Sequence, residues 1–450
     1  MTNNKKTYDY AKLKYNDKDY PVAVSVCKEL WDNSSKNDNK LLSLYGYSLR
    51  KNDQSSEFIK IIKNLENKSL IKDKLVVSPL CWCIYDEYIK NYNVDDTENF
   101  DNFLKKAQFI TDRIKQEPYD KYIYEKNKLD KEIINPFVLT IKKVVSIYNE
   151  KTQRRYSRKI YQEIINWLNK LDPLILSEQC FEFEDNKGKE RKLASSKEFY
   201  YQHLTKALEK IEDYSNCIRI AEIALKEINI FHYRNDIWIN LRLNFSKCMI
   251  AKNREEAIIN FERFAKKENL WFIWYKLSYA CLVFGKVDES LLYGSKSIII
   301  EYKYESMVKL FYILGVLWKN KGNDNNAKEF FQAAAYYRYI NTWTISEELN
   351  YYIEEYKIDI KKKPMIKNII KICEEYIDLK GSNDYTFGRL KRILKYKGYG
   401  FIETEKLDKD VYFKISELKM DINKAEGKIV KYILVQVGDS YIAKNIKEVN

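Results

Sequence analysis

Apolar residues recur every three or four positions from Tyr8 to about residue 380, the period of one helical face. Phe103, Ala107, Ile110 and Ile114 make one such face, and Phe137–Tyr148 and Tyr161–Leu171 continue as amphipathic helices. Twelve glycines and six prolines in 450 residues leave few breaks, so the chain reads as mainly α. Two stretches change period. Cys180–Ser195 alternates, turns at Asn186, Lys187 and Gly188, and alternates again, which predicts a hairpin; as a long loop or a contact element, the loop is the simpler reading. Ser195 and Glu198 then stand three apart, as a capping box opening the next helix requires. Beyond a break at Ile358–Pro364, a closing helix at Met365–Leu379 and a polar linker at Lys380–Asp384, alternation returns. There Tyr399 and Phe401 share one strand face, Tyr412 and Lys414 repeat the geometry on the next strand, and Val411, Phe413 and Ile415 turn the other way into a core. Gly398 and Gly400 flank Tyr399 and are expected to leave room for a base or another backbone.

The helical part repeats. Trp274, Leu277, Ser278, Cys281, Gly285 and Ser290 make one unit, and Phe311, Leu314, Gly315, Trp318, Gly322, Ala327, Phe331 and Ala334 the next. Gly315 and Ala327 fall where two helices cross, and Gly322 where a left-handed residue ends the first. Earlier copies run through Leu241, Phe245, Cys248, Ala257, Phe261 and Phe264, and through Tyr201, Leu204, Leu208, Tyr214, Cys217, Ala221 and Ala224. The pattern resembles the tetratricopeptide repeat (TPR), whose period is about 34 residues. A fainter copy at Leu42, Tyr45, Gly46, Leu49, Phe58, Ile62 and Leu65 marks degenerate hairpins upstream. Such arrays commonly hold a peptide or another protein's helix in a groove. Tyr293, Lys309, Asn325, Lys328 and Tyr336 are its candidate lining residues.

The end of the chain resembles a second family. KGYGFI (Lys397–Ile402) and DVYFKIS (Asp410–Ser416) match the two RNA-binding motifs of cold-shock domains, and AKNI (Ala443–Ile446) the close of their last strand. The resemblance implies a five-stranded OB-type barrel for residues 385–450 that binds single-stranded RNA or DNA. Position by position it carries nucleic-acid contact to Lys391, Lys397, Tyr399, Phe401 and Tyr412. Arg392 stands where the family usually has a stacking tryptophan, Lys414 where it has a histidine, and Ile415 where it has a phenylalanine, which implies weaker or less base-selective binding. Arg392 and Lys414 still offer cations, and a guanidinium plane stacks on bases. Read from the residues alone, the rings are either a stacking platform, ordinary barrel aromatics or a protein-binding face. The basic residues Arg389, Lys391, Arg392, Lys395 and Lys397, with no acid between them in sequence, favour the platform.

Charge adds little: the net value is +14, of which residues 385–450 hold +5. Eight scattered cysteines read as reduced, buried small residues of a cytoplasmic protein. The start lacks the apolar core of a signal peptide, and no apolar run is long enough to span a bilayer, so no membrane partner is expected. Only His203 and His232 occur, and neither has a carboxylate, cysteine or serine at catalytic spacing, so both read as structural. No phosphate-cradling or dinucleotide glycine loop occurs, and no cofactor, metal site or enzymatic activity is expected. The expected organisation is a disordered start at 1–7, degenerate helical hairpins at 8–178, a hairpin insertion at 179–198, a TPR-like array with closing helix at 199–379, and the barrel at 385–450, joined by a tether that lets it swing. The expected function is a non-enzymatic adaptor: single-stranded RNA or DNA on Lys391, Arg392, Lys397, Tyr399, Phe401, Tyr412 and Lys414, and an unidentified protein or peptide in the groove. The rival is a purely protein-interacting scaffold, a class that also occurs in prokaryotic defence systems.

Overall fold

The computed structural model describes residues 7–116, 136–154, 157–184, 188–301, 303–380, 386–404, 407, 409–437 and 440–449. The disordered start (but for Thr7), the Asn186-Lys187 turn and residues 381–384 of the linker lie outside them. The fold is mainly α, TPR-like helical hairpins followed by a closed five-stranded β-barrel. Two compact units, 1–242 and 243–450, divide the chain.

The first unit holds α1 (Tyr8–Asn16), α2 (Tyr20–Asp32), α3 (Asn39–Lys51), α4 (Ser55–Lys63), α5 (Lys74–Ile84), α6 (Phe100–Arg113), α7 (Pro136–Arg154), α8 (Arg158–Leu168), a two-stranded hairpin, α9 (Ser196–Lys210) and α10 (Tyr214–Glu227). Side chains close the helix starts: Asp38 accepts from the backbone of Lys40 and Leu41, and Asp73 from Leu75. The faint early repeat is real packing. Leu42, Tyr45, Leu49, Phe58, Ile62 and Leu65 are buried, and the Phe58 ring fills the space a side chain at Gly46 would need. In the hairpin, β1 (Phe181–Glu184) pairs antiparallel with β2 (Glu190–Leu193), Phe181 opposite Leu193. The capping box is present in both directions: the Glu198 amide donates to Ser195 Oγ, and the Ser195 amide to Glu198 Oε2, each at 3.1 Å.

Helix α11 (Asn235–Ile250) carries the division between the units. The second unit continues through α12 (Arg254–Glu268), α13 (Trp271–Val283), α14 (Val287–Ile300), α15 (Val308–Asn320), α16 (Asp324–Ile340), α17 (Glu347–Glu355) and α18 (Ile366–Leu379). The repeat positions do what their spacing demands. Trp274, Leu277, Ser278, Cys281, Ser290, Phe311, Leu314, Ala327 and Phe331 are buried, and Gly285 and Gly322 take φ of +73° and +74° at the turns. The Phe331 ring lies where a side chain on Gly315 would be, so α15 and α16 close on each other only because that position is bare. Tyr293 is a correction: it is buried against Trp274 and lines no groove. Asp288, at the start of α14, pairs with Lys321 (2.6 Å) and Lys380 (2.8 Å) and accepts from the Tyr376 hydroxyl (3.0 Å), tying α18 to the array. These cations and the hydroxyl hold its carboxyl well below the usual range.

The barrel strands are β3 (Thr386–Leu394), β4 (Tyr399–Glu403), β5 (Val411–Lys414), β6 (Ile429–Val437) and β7 (Ser440–Glu448), in closed order β3-β4-β5-β7-β6. All neighbours are antiparallel except β5 and β7. Leu390, Ile402, Val411, Phe413, Val430, Tyr432, Ala443 and Ile446 form its core, with Ile415 packed at the margin. The swinging tether is a further correction, because the barrel is docked. Lys444 of β7 is buried and donates to the carbonyls of Ile299 (3.2 Å) and Ile300 (2.8 Å) at the end of α14. Asn269 donates to the Leu434 carbonyl, Lys447 pairs with Asp378 at 2.6 Å, and Ile433 packs on the helical core.

Candidate nucleic-acid interface

Strand register sets the candidate face. Phe401 on β4 stands opposite Arg392 on β3 and opposite Tyr412 on β5, while Tyr399 stands opposite Lys414. Opposite residues project from the same side of a sheet, so these five form two rows across three strands. The next residues along, Gly400, Ile402, Val411 and Phe413, are buried, which fixes the rows on the outer surface. The three rings are half-buried and lean on one another. Centroids lie 5.6 Å apart for Tyr399 and Phe401, 5.3 Å for Tyr399 and Tyr412, and 6.2 Å for Phe401 and Tyr412. Mutual contact stiffens each ring while leaving part of its face to solvent, as a stacking surface requires.

Cations border the rings. Arg392 and Lys414 are exposed within the two rows, and Lys397 is exposed in the turn before β4. Lys391 sits at a register irregularity of β3. Its ammonium lies 3.0 Å from Asp410 and 3.9 Å from Glu403, and these partners, Asp410 foremost, raise its pKa. The basic run free of acids in sequence is therefore partly neutralised in space. An exposed pair of this kind contributes little, so a phosphate competes for Lys391 at small cost.

Gly400 opens no space toward a ligand, contrary to expectation. A Cβ there would meet Phe413 Cζ at 2.5 Å and the Arg392 carbonyl at 2.7 Å, so the bare position serves inward packing. Gly398 is a turn glycine with φ +75° and open space around it. Tyr396 escaped the alternation argument because it precedes the strand, yet it is 79% exposed beside Lys397, whose ammonium lies 5.7 Å from its ring. Its place between Lys395 and Lys397 was the available signal. Docking contacts of the barrel come from β6, β7 and Lys419, which faces Glu374 at 3.9 Å, and the three rings remain partly exposed.

In the first unit the histidines part company. His203 meets Asn149 at 3.1 Å, and burial, with Lys206, Arg242 and Lys142 nearby, pushes its pKa down to about 3, so it is a neutral packing group. His232 corrects the sequence reading, because folding brings it both a cysteine and a carboxylate. Cys180 Sγ lies 3.1 Å from its Nδ1 and 2.9 Å from its Nε2, and Glu198 Oε2 lies 2.9 Å from Nδ1. Cys180 is also only partly buried, unlike the other seven cysteines. Separations of 52 and 34 residues hid this group from spacing arguments.

No family model matches the chain, and no curated protein matches it. Among solved structures, it is similar to a monomeric mutant of IFIT1 with Gppp-AAAA, at 12% identity and TM-score 0.32, over 82% of this chain and 78% of that one. It is likewise similar to the human IFIT1 dimer with m7Gppp-AAAA, at 12% identity and TM-score 0.29, over 83% of this chain and 89% of that one. No helix among the described residues is long and apolar enough to cross a membrane.

Proposed function

We propose that the protein is a non-enzymatic adaptor of a reducing, cytoplasmic compartment. It holds single-stranded RNA or DNA on the outer face of the barrel and a protein partner on its helical repeats. The observation that carries this reading is the pair of cross-strand rows, Arg392–Phe401–Tyr412 and Tyr399–Lys414, in which partly exposed rings stand beside a cation in each row. Bases stack on such rings for about 1–3 kcal/mol each, and cations follow the phosphates. The cold-shock resemblance of KGYGFI and DVYFKIS supports it, and the closed barrel with one parallel pair suits an OB-type topology. Filter binding of oligo-U and oligo-dT across a salt series tests it. The expected log–log slope is about −0.7 per neutralised phosphate. Absence of salt-dependent binding discards the reading.

The second reading, a scaffold that binds only proteins, is favoured by the absence of the family's tryptophan and histidine and by the acids beside Lys391. The same salt series separates the two.

A further inference from the structure

Three donor atoms of different kinds converge at the root of the hairpin. Cys180 Sγ, a Glu198 carboxylate oxygen and a His232 ring nitrogen all lie within 4.8 Å of one another. Cys180 immediately precedes β1, Glu198 sits in the first turn of α9, and His232 lies between α10 and α11. The sulfur is nearly equidistant from both ring nitrogens, at 3.1 and 2.9 Å. A thiol donating to one nitrogen lies in line with it and well away from the other, so this is not the placement of a simple hydrogen bond.

The carboxylate is held from behind. Glu198 is fully buried; Oε1 accepts from the His232 amide at 2.6 Å and from Asn235 Nδ2 at 3.3 Å, and Oε2 accepts from the Ser195 amide at 3.1 Å. The remaining contact is Oε2 to His232 Nδ1 at 2.9 Å, and Nδ1 is also 3.1 Å from the sulfur. A cation there takes the place of the proton between nitrogen and oxygen, and three donors already orient the carboxylate, the arrangement that surrounds well-formed metal sites.

The geometry points to a binding site for a zinc-class divalent metal ion formed by Cys180, Glu198 and His232. One thiolate and one carboxylate neutralise a divalent charge, and the thiol proton is released on binding. The sulfur, nitrogen and oxygen set suits zinc or cobalt(II) and not magnesium or calcium, which prefer all-oxygen shells. Around a common tetrahedral zinc, sulfur and nitrogen stand about 3.5 Å apart. For Sγ and Nδ1 to share an ion in the ring plane, the Cys180 side chain or the ring must also turn so that Sγ leaves Nε2, from which it now stands 2.9 Å. Three protein ligands leave a fourth position for water, and the ion fastens the hairpin to the start of α9.

Titration of the metal-stripped full chain with cobalt(II) tests this. One equivalent is expected to bind and give a thiolate-to-cobalt charge-transfer absorption, which zinc abolishes by displacement and magnesium leaves intact. Cys180→Ser is expected to remove the absorption, His232→Gln to weaken cobalt binding at least about tenfold, and His203→Gln to change neither. Bound zinc should also protect Cys180 from iodoacetamide in the wild-type chain, read by mass spectrometry, which requires no variant to fold. Lack of saturable cobalt binding at micromolar protein, a charge-transfer band surviving in Cys180→Ser, or Cys180 alkylation indifferent to zinc overturns the site.

Discussion

The Lys444 ammonium of the last strand donates to the Ile300 carbonyl at 2.8 Å, with both groups buried where the barrel meets the end of α14. The last carbonyls of a helix have no partner within it, and a cation there also meets the negative end of the helix dipole. Burial lowers the lysine pKa, which Glu417 and Glu301 partly counter. Lys444→Ala removes the donor and leaves the Ile299 and Ile300 carbonyls without it. Unfolding free energy should fall by about 2 kcal/mol, read from urea denaturation with an unchanged slope. A wild-type midpoint would show that this contact does not hold the barrel.

Tyr399 and Phe401 are two of the three rings proposed to stack on bases. Their double replacement by alanine should cost about 2–6 kcal/mol of single-strand affinity. Tyr396→Ala should cost about 1–3 kcal/mol if the platform extends to it. Arg392→Ala should flatten the salt slope by about 0.7. A folded double variant with wild-type affinity would end the stacking proposal.

The parts readable from sequence are those where local period and packing agree. The left-handed turns at Gly285 and Gly322, the Gly315–Phe331 crossing, the capping box at Ser195 and the inward Val411 and Phe413 each follow from spacing within one or two elements. Long-range relations were silent. A lysine in a strand reads as outward-facing, yet Ala443, Lys444, Asn445 and Ile446 are buried in succession, with Asn445 at φ +51° breaking the alternation. The meeting of Cys180 with His232 depends on how α10 returns the chain to the hairpin, which no local pattern encodes. In the candidate interface the cations were legible, but the acids of β4 and the following turn that face Lys391 were not.

Gly400 and Gly398 separate two uses of a bare position. A methyl at Gly400 collides with the buried Phe413 ring and with the Arg392 backbone, so Gly400→Ala should destabilise the barrel by about 1–3 kcal/mol. Gly398→Ala meets nothing but must hold a left-handed φ, at about 1 kcal/mol. Hydrogen exchange of the β4 and β6 amides measures both. Equal effects would remove the packing argument for Gly400.

Buried thiols and phenols of the first unit set its alkaline limit. Burial raises Cys27, Cys81 and Cys83 from 9.0 to about 12, and Tyr45, Tyr85 and Tyr148 from 10.0 to about 12. Above the unfolded values the native state retains protons that the unfolded chain has released, so stability falls as pH rises. The contribution of these groups is therefore complete below about pH 9 and is lost progressively between pH 9 and 12. Burial-lowered lysines such as Lys206 act in the opposite direction, but only between their folded values and 10.5. Urea midpoints measured from about pH 8 to 11 should decline from about pH 9 upward. Cys83→Ala, whatever its cost at neutral pH, should decline less steeply because one protonated thiol is gone. A midpoint that rises over this range would mean that the lysines outweigh the thiols and phenols, and the burial argument for the first unit would fail.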